Sequence, residues 1–141
     1  MGHNANYLSI LIAAVGAWIF GGIYYTSLAK YWLAAQGKTV EQHKAEIAAR
    51  TGIGKATPFV LTFVAEFIMA FVLYGIIFHV GVFTATAGAI SGAVCWLGFV
   101  LTTVASNNAF GSRRPMLTLI DSGAWLGALV VMGVILGSMG R

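Results

Sequence analysis

The chain has 141 residues, of which 59% are hydrophobic and only 9% charged, with a net charge of +4. A soluble domain carries about 45–50% apolar and about 25% charged residues, and a fold of this size cannot cover its surface with so few charges. Those figures exclude a soluble globular protein, a secreted disulfide scaffold and a disordered tail, and leave an integral membrane protein.

The charges are also unevenly placed. None precedes Lys30, and none lies between Glu66 and Arg113. The opening residues Met1-Gly2-His3-Asn4 lack the basic start of a secretory signal, and the apolar stretch behind them is too long for one. The first span is therefore expected to stay in the mature protein. A single cysteine, Cys95, permits no internal disulfide.

Four stretches reach the roughly 20 apolar residues that a transmembrane helix needs. They run over about 6–28, 58–80, 84–109 and 115–139. The expected fold class is all-α, one transmembrane domain over 1–141 built as a four-helix bundle. Pro58 and Pro115 suit the first turn of a helix, where the missing N–H does no harm. Lys30, Lys38, Lys44, Arg50 and Lys55 fall in the connector 29–57, and Arg113 and Arg114 in the next connector on that side. Arg141 alone stands on the other side. The positive-inside rule then puts both connectors in the cytoplasm and both termini outside, with Lys30, Arg113 and Arg114 facing the headgroups.

Within the connector 29–57, Gly37 is expected to cap a helical extension of the first span, with Tyr31 and Trp32 at the interface. Thr39 with Gln42 forms a capping box for a short helix through Arg50, where Glu46 has Arg50 in reach. Val40 and Ile47 give that helix a thin apolar stripe, compatible with a solvated helix or with one lying on the inner leaflet. Thr51-Gly52-Ile53-Gly54-Lys55 lacks the residues of a phosphate loop and reads as a flexible lead-in to the second span.

Small residues recur at four-residue spacing: Gly88 with Gly92, Gly123 with Gly127, Gly133 with Gly137, and more loosely Ala17 with Gly21. Such faces let helix backbones approach closely, either inside the bundle or between copies of the chain.

Polar residues gather toward the cytoplasmic ends of the spans. Glu66 lies eight residues after Pro58 and Asp121 six after Pro115, roughly 12 and 9 Å deep at 1.5 Å per residue. Tyr24, Tyr25, Thr62, Asn107 and Trp125 fall in or near the same layer. A carboxylate at this depth costs about 2.5–3.5 kcal/mol on insertion scales, so it faces protein or water. The pattern predicts a polar vestibule open to the cytoplasm, or else a hydrogen-bonded clamp holding the helices in register. Asp121 has Arg113 or Arg114, two turns away, or the polar groups of the third span as neutralising partners. His3, His43 and His79 stand far apart with no cysteine pair, so no metal site or cofactor is expected, and no pattern for nucleophilic catalysis is present. The basic residues form no surface for nucleic acid.

Trp96-Leu97-Gly98-Phe99-Val100, Arg113-Arg114-Pro115, Leu119-Ile120-Asp121-Ser122-Gly123 and Val131 through Gly137 together resemble the second half of a family of small four-span membrane proteins of bacteria and fungi, a domain of unknown function of the DUF1761 type. Gly21-Gly22-Ile23-Tyr24-Tyr25-Thr26 and Trp32 resemble its first half. Ser27 stands where that family usually has Pro, and Asp121 where it often has Asn. The resemblance implies a four-helix membrane fold and no established activity.

Two functions fit these residues. One is a non-enzymatic accessory or structural subunit of the bacterial inner membrane, contacting lipid and either further copies of itself or other membrane subunits. The other is a homo-oligomeric proton- or ion-coupled transporter of a small substrate, with Glu66 binding substrate or proton and Tyr24, Tyr25 and Trp125 along the path.

Overall fold

The computed structural model describes residues 5–141; the readings made on Met1–Asn4, His3 among them, lie outside the described residues. Helix follows helix, with no strand among the described residues: α1 (Tyr7–Ser27), α2 (Ala29–Ala35), α3 (Val40–Ala49), α4 (Ile53–Val80), α5 (Ala85–Cys95), a π turn (Trp96–Leu101), α6 (Thr102–Phe110) and α7 (Pro115–Met139). Helix α5, the π turn and α6 form one continuous rod, so four rods are long and apolar enough to cross a bilayer.

Helix α7 packs against all three other rods, and α1 packs against α4. The apolar core lies between α1, α4 and α7. Ile10, Ala13, Ala14 and Ala17 share one face of α1 at three- and four-residue spacing, and meet Ala70, Leu73 and Ile77 of α4 and Leu129, Met132 and Leu136 of α7. Alanines on α1 leave room for the longer side chains opposite.

Between α5 and α7 the glycines themselves make the interface. A Cβ on Gly88 or on Gly133 would run into the other's backbone carbonyl, and one on Gly92 would strike the carbonyl of Leu129. The pairs Gly88/Gly92 and Gly133/Gly137 therefore bring two backbones together within one chain. The pair Gly123/Gly127 acts differently. It receives aromatic side chains of α1, with the Phe20 ring over Gly127 and Tyr24 Oη 2.8 Å from where a Gly123 Cβ would stand.

The second span starts earlier than its proline indicates. Helix α4 begins at Ile53, so Pro58 lies inside it and Gly54-Lys55 are helical, not a flexible lead-in. Gly52, at φ +47, breaks the chain just before. Gly54 and Lys55 then donate to Thr51 and Gly52 carbonyls, closing the first turn. Pro58 removes only the bond to the Gly54 carbonyl, in an exposed turn where that group has water as an alternative. Pro115 does open its helix.

The connector folds largely as its residues indicate. Thr39 and Gln42 form the capping box of α3, with bonds of 3.2 and 2.9 Å. Helix α1 is interrupted at Leu28, and the short α2 that follows ends on Gly37 at φ +72. There Lys38 donates to the Leu33 carbonyl and Gly37 to that of Ala34, the paired bonds of a Schellman cap. Glu46 does not pair with Arg50. Arg50 leaves the helix in extended conformation, and Lys38 takes its place with Nζ 2.9 Å from Glu46 Oε2. That ammonium holds the Glu46 carboxyl below the usual carboxylate range. Val40 and Ile47 are exposed, and α3 buries nothing.

The four rods bring the start of α1 and the end of α7 together. Asn6 Nδ2 donates to the Met139 carbonyl at 2.7 Å, its backbone N–H reaches Tyr74 Oη at 3.3 Å, and its Oδ1 caps α1 through Ser9. At the opposite end, Arg114 reaches across from the start of α7 to the end of α2, Nη1 to the Ala34 carbonyl at 2.7 Å.

Candidate functional site

Two acidic residues sit in the spans, and the fold treats them differently. Asp121 lies on α7 beneath α1 and α2. Its Oδ1 accepts the Tyr25 hydroxyl at 2.9 Å and the Trp32 indole N–H at 3.1 Å. Tyr24 donates to the neighbouring Ile120 carbonyl at 2.8 Å. The rings continue the arrangement: Phe20, Tyr24, Tyr25, Trp32 and His43 follow one another at centroid separations of 5.5–5.9 Å. Ala35, Leu117 and Ile120 seal this cluster from below.

Asp121 therefore takes neutral aromatic donors, not the Arg113 or Arg114 expected beside it. Arg114 is committed to the end of α2, where its guanidinium gives the Ala34 carbonyl a second donor beside the Gly37 N–H. Arg113 and Lys30 are exposed. Among the described residues the one ion pair is Lys38–Glu46.

Glu66 sits on α4 and is 2% exposed. Its Oε2 is buried with no hydrogen-bond partner. The side chain faces α1. There Oε1 lies 3.9 Å from where a Cβ on Gly21 would stand. The neighbouring Gly22 is exposed and faces open space. Phe63 and Ala70, one turn to either side on α4, are apolar.

The remaining residues of the expected layer do not all join it. Tyr24 and Tyr25 belong to the Asp121 cluster. Trp125 packs half-buried against the apolar core. Thr62 and Asn107 are exposed, and the Thr62 hydroxyl donates to its own helix at the Pro58 carbonyl. Asn108, not Asn107, reaches inward, Nδ2 to Thr118 Oγ1 at 3.0 Å.

Three further features were not read from the sequence. The sequence places Trp32 only at the interface, yet it is a partner of Asp121; the interruption at Leu28 between it and Tyr25 leaves no unbroken helical spacing to signal this. The Asn6–Ser9–Tyr74 group ties together the end of the bundle that holds Met139. The π turn at Trp96–Leu101 aims the Trp96 indole at the Ser122 carbonyl, 2.7 Å away, one residue beyond Asp121. Wide turns of this kind are frequent at functional positions.

The family model for a protein of unknown function, DUF1761, matches residues 8–137. The chain belongs to the DUF1761 family. No curated protein and no solved structure matches it. Both halves of the DUF1761 match contribute to the site, Gly21 to Trp32 from the first and Trp96 to Gly123 from the second.

Proposed function

We propose that this DUF1761 protein is a small proton- or ion-coupled transporter of the bacterial inner membrane, and that Glu66 is the group that takes up and releases the ion. The observation that carries the reading is the Glu66 Oε2, buried within a span and without a partner. A native fold rarely leaves such a group unsatisfied without use for it, and intramembrane carboxylates face pathways or partners. Asp121 has the other role: held by Tyr25 and Trp32, it clamps α7 to α1 and α2. The clamp and the ion site, alternatives when both carboxylates are read together, are thus assigned to different residues.

In this reading the end rich in Lys and Arg faces the cytoplasm and both termini lie outside. Glu66 is reached from the cytoplasmic half, and further copies of the chain complete the assembly in the bilayer.

A non-enzymatic accessory subunit is the second reading. The rod Ala85–Phe110 favours it, since 11% of its most apolar window is buried and its outer face is free for another membrane subunit.

Reconstitution separates the two. In vesicles containing a pH-sensitive dye, an imposed gradient should collapse faster with the wild-type protein than in empty vesicles, and Glu66→Gln should abolish the difference. Equal flux through Glu66→Gln would remove Glu66 from the mechanism. No flux through the wild type would favour the accessory reading.

A further inference from the structure

We propose that α6 has two registers against α7, one residue apart, and that the π turn at Trp96–Leu101 is the element that exchanges them. The proposal is independent of what Glu66 does.

The two halves of the rod Ala85–Phe110 are held unequally. Above the π turn, α5 is fixed to α7 by backbone contact at Gly88 and Gly92, and the Trp96 indole bonds the Ser122 carbonyl at 2.7 Å. Below it, α6 turns only Val104 and Asn108 inward; both are half-buried and lie one turn apart, and the rest of the helix is exposed. Among the described residues, one side-chain hydrogen bond joins α6 to α7, from Asn108 Nδ2 to Thr118 Oγ1 at 3.0 Å.

A π turn closes i→i+5 bonds where an α turn closes i→i+4, so it takes in one residue more. When it closes to an α turn with α5 held still, each residue of α6 moves into the place of its C-terminal neighbour. The movement is about 100° around the axis and ~1.5 Å along it. Thr103 then stands where Val104 was, and Asn107 where Asn108 was. Both replacements fit. Threonine has the branched shape of valine, and its hydroxyl is already spent on the Phe99 carbonyl at 2.6 Å, so no unpaired polar group enters the contact. Asn107 brings the same amide to Thr118.

The carbonyls that change amide partner keep a second donor throughout. Thr102 and Thr103 hydroxyls bond those of Gly98 and Phe99, four residues back on the same helix. At the far end the turn Gly111–Arg114 is exposed, so the helix lengthens into it without disturbing the core. The cost falls at Phe99, which takes the half-buried place of Val100 beside the core. The larger ring there makes the shifted register the minor one.

Disulfide trapping in lipid vesicles reads both registers. In a Cys95→Ala background, Thr118→Cys is paired with Asn108→Cys, with Asn107→Cys, or with Ser106→Cys, whose place faces away in both registers. Register shifts of helices take microseconds to milliseconds, and minor states hold about 0.1–10% of the population. The Asn107→Cys pair should therefore link about ten- to a thousandfold more slowly than the Asn108→Cys pair, and faster than the Ser106→Cys pair. Thr103→Phe is the lock: its ring has an exposed position in the observed register but does not fit the place of Val104. It should bring the Asn107→Cys pair down to the Ser106→Cys rate and leave the Asn108→Cys pair unchanged. Deleting Leu97 removes the extra residue of the π turn and should lock the same register by an independent route. An Asn107→Cys pair that links no faster than Ser106→Cys would overturn the proposal. So would linkage that persists in a locked variant whose Asn108→Cys pair still reacts normally, since it would report general looseness of α6. Failure of the Asn108→Cys pair to link would overturn the observed register from which the second one is built.

Discussion

The indole of Trp32 and the carboxylate of Asp121 meet at 3.1 Å across 89 residues of sequence, joining a short helix outside the first span to the interior of the last. A hydrogen bond to a charged group contributes about 1.5–3 kcal/mol. Trp32→Phe keeps a ring against Tyr25 but loses the donor, so it should destabilise the protein by about that amount. Asp121→Asn keeps an acceptor and should cost less. A double-mutant cycle of the two, read from unfolding in detergent and denaturant, should give a coupling energy clearly above zero; additive effects would show that the contact contributes nothing.

Gly88→Ala and Gly133→Ala should each lower the melting temperature, since either methyl falls on a carbonyl of the facing helix. Overpacking of this kind costs about 1–3 kcal/mol and occasionally more. Gly98, in the middle of the same rod, has no atom within 4 Å of a would-be Cβ, and Gly98→Ala should leave melting within about 1 kcal/mol of the wild type. Equal sensitivity at all three positions would contradict the seam between α5 and α7.

Arg114→Lys keeps the charge but loses the planar guanidinium that reaches the Ala34 carbonyl. The contact is exposed, so its effect on global stability should be small, about 0.3–1 kcal/mol. Hydrogen exchange at Gln36, Gly37 and Lys38 should quicken, while amides in the core of α7 stay protected. Unaltered exchange at the end of α2 would mean that the Schellman cap alone holds it.

The Lys38–Glu46 pair sets a pH dependence with a definite sign. Glu46 is held below its ordinary value by Lys38 in the fold, so the pair's contribution is fully present above the unfolded carboxylate range. It disappears as pH falls through the lowered folded value. Protection factors of α3 amides, taken relative to the intrinsic exchange rate at each pH, should therefore fall on acidification, and Glu46→Gln should show the lower protection at neutral pH with no further acid step. Both partners are exposed, so added salt should weaken the effect.

Much of this architecture is written locally. Hydropathy alone locates the four spans to within a few residues, apart from the early start at Ile53, and the Thr39–Gln42 box is a four-residue motif whose geometry is contained in its own segment. What the sequence conceals is which way a polar residue turns. Thr62 and Asn107 carry the polarity that a vestibule needs, yet they point outward, because α4 and α6 present other faces to α7. Asp121 has two arginines nearby in sequence but is bonded to Tyr25 and Trp32, whose closeness depends on the bend at Leu28. The π turn is likewise silent, since nothing in Trp96–Leu101 differs from an ordinary apolar helical stretch.

The glycine contacts between α5 and α7 also bear on how the protein moves. Two backbones touching directly have no side chains between them to rearrange, so these two rods shift as one body. Between α7 and α1, by contrast, lie the rings of Phe20 and Tyr24, seated over Gly127 and Gly123, the second tied through its hydroxyl to the Ile120 carbonyl. The two rods make one wall of the molecule, and α1 lies against it through side chains instead of backbone.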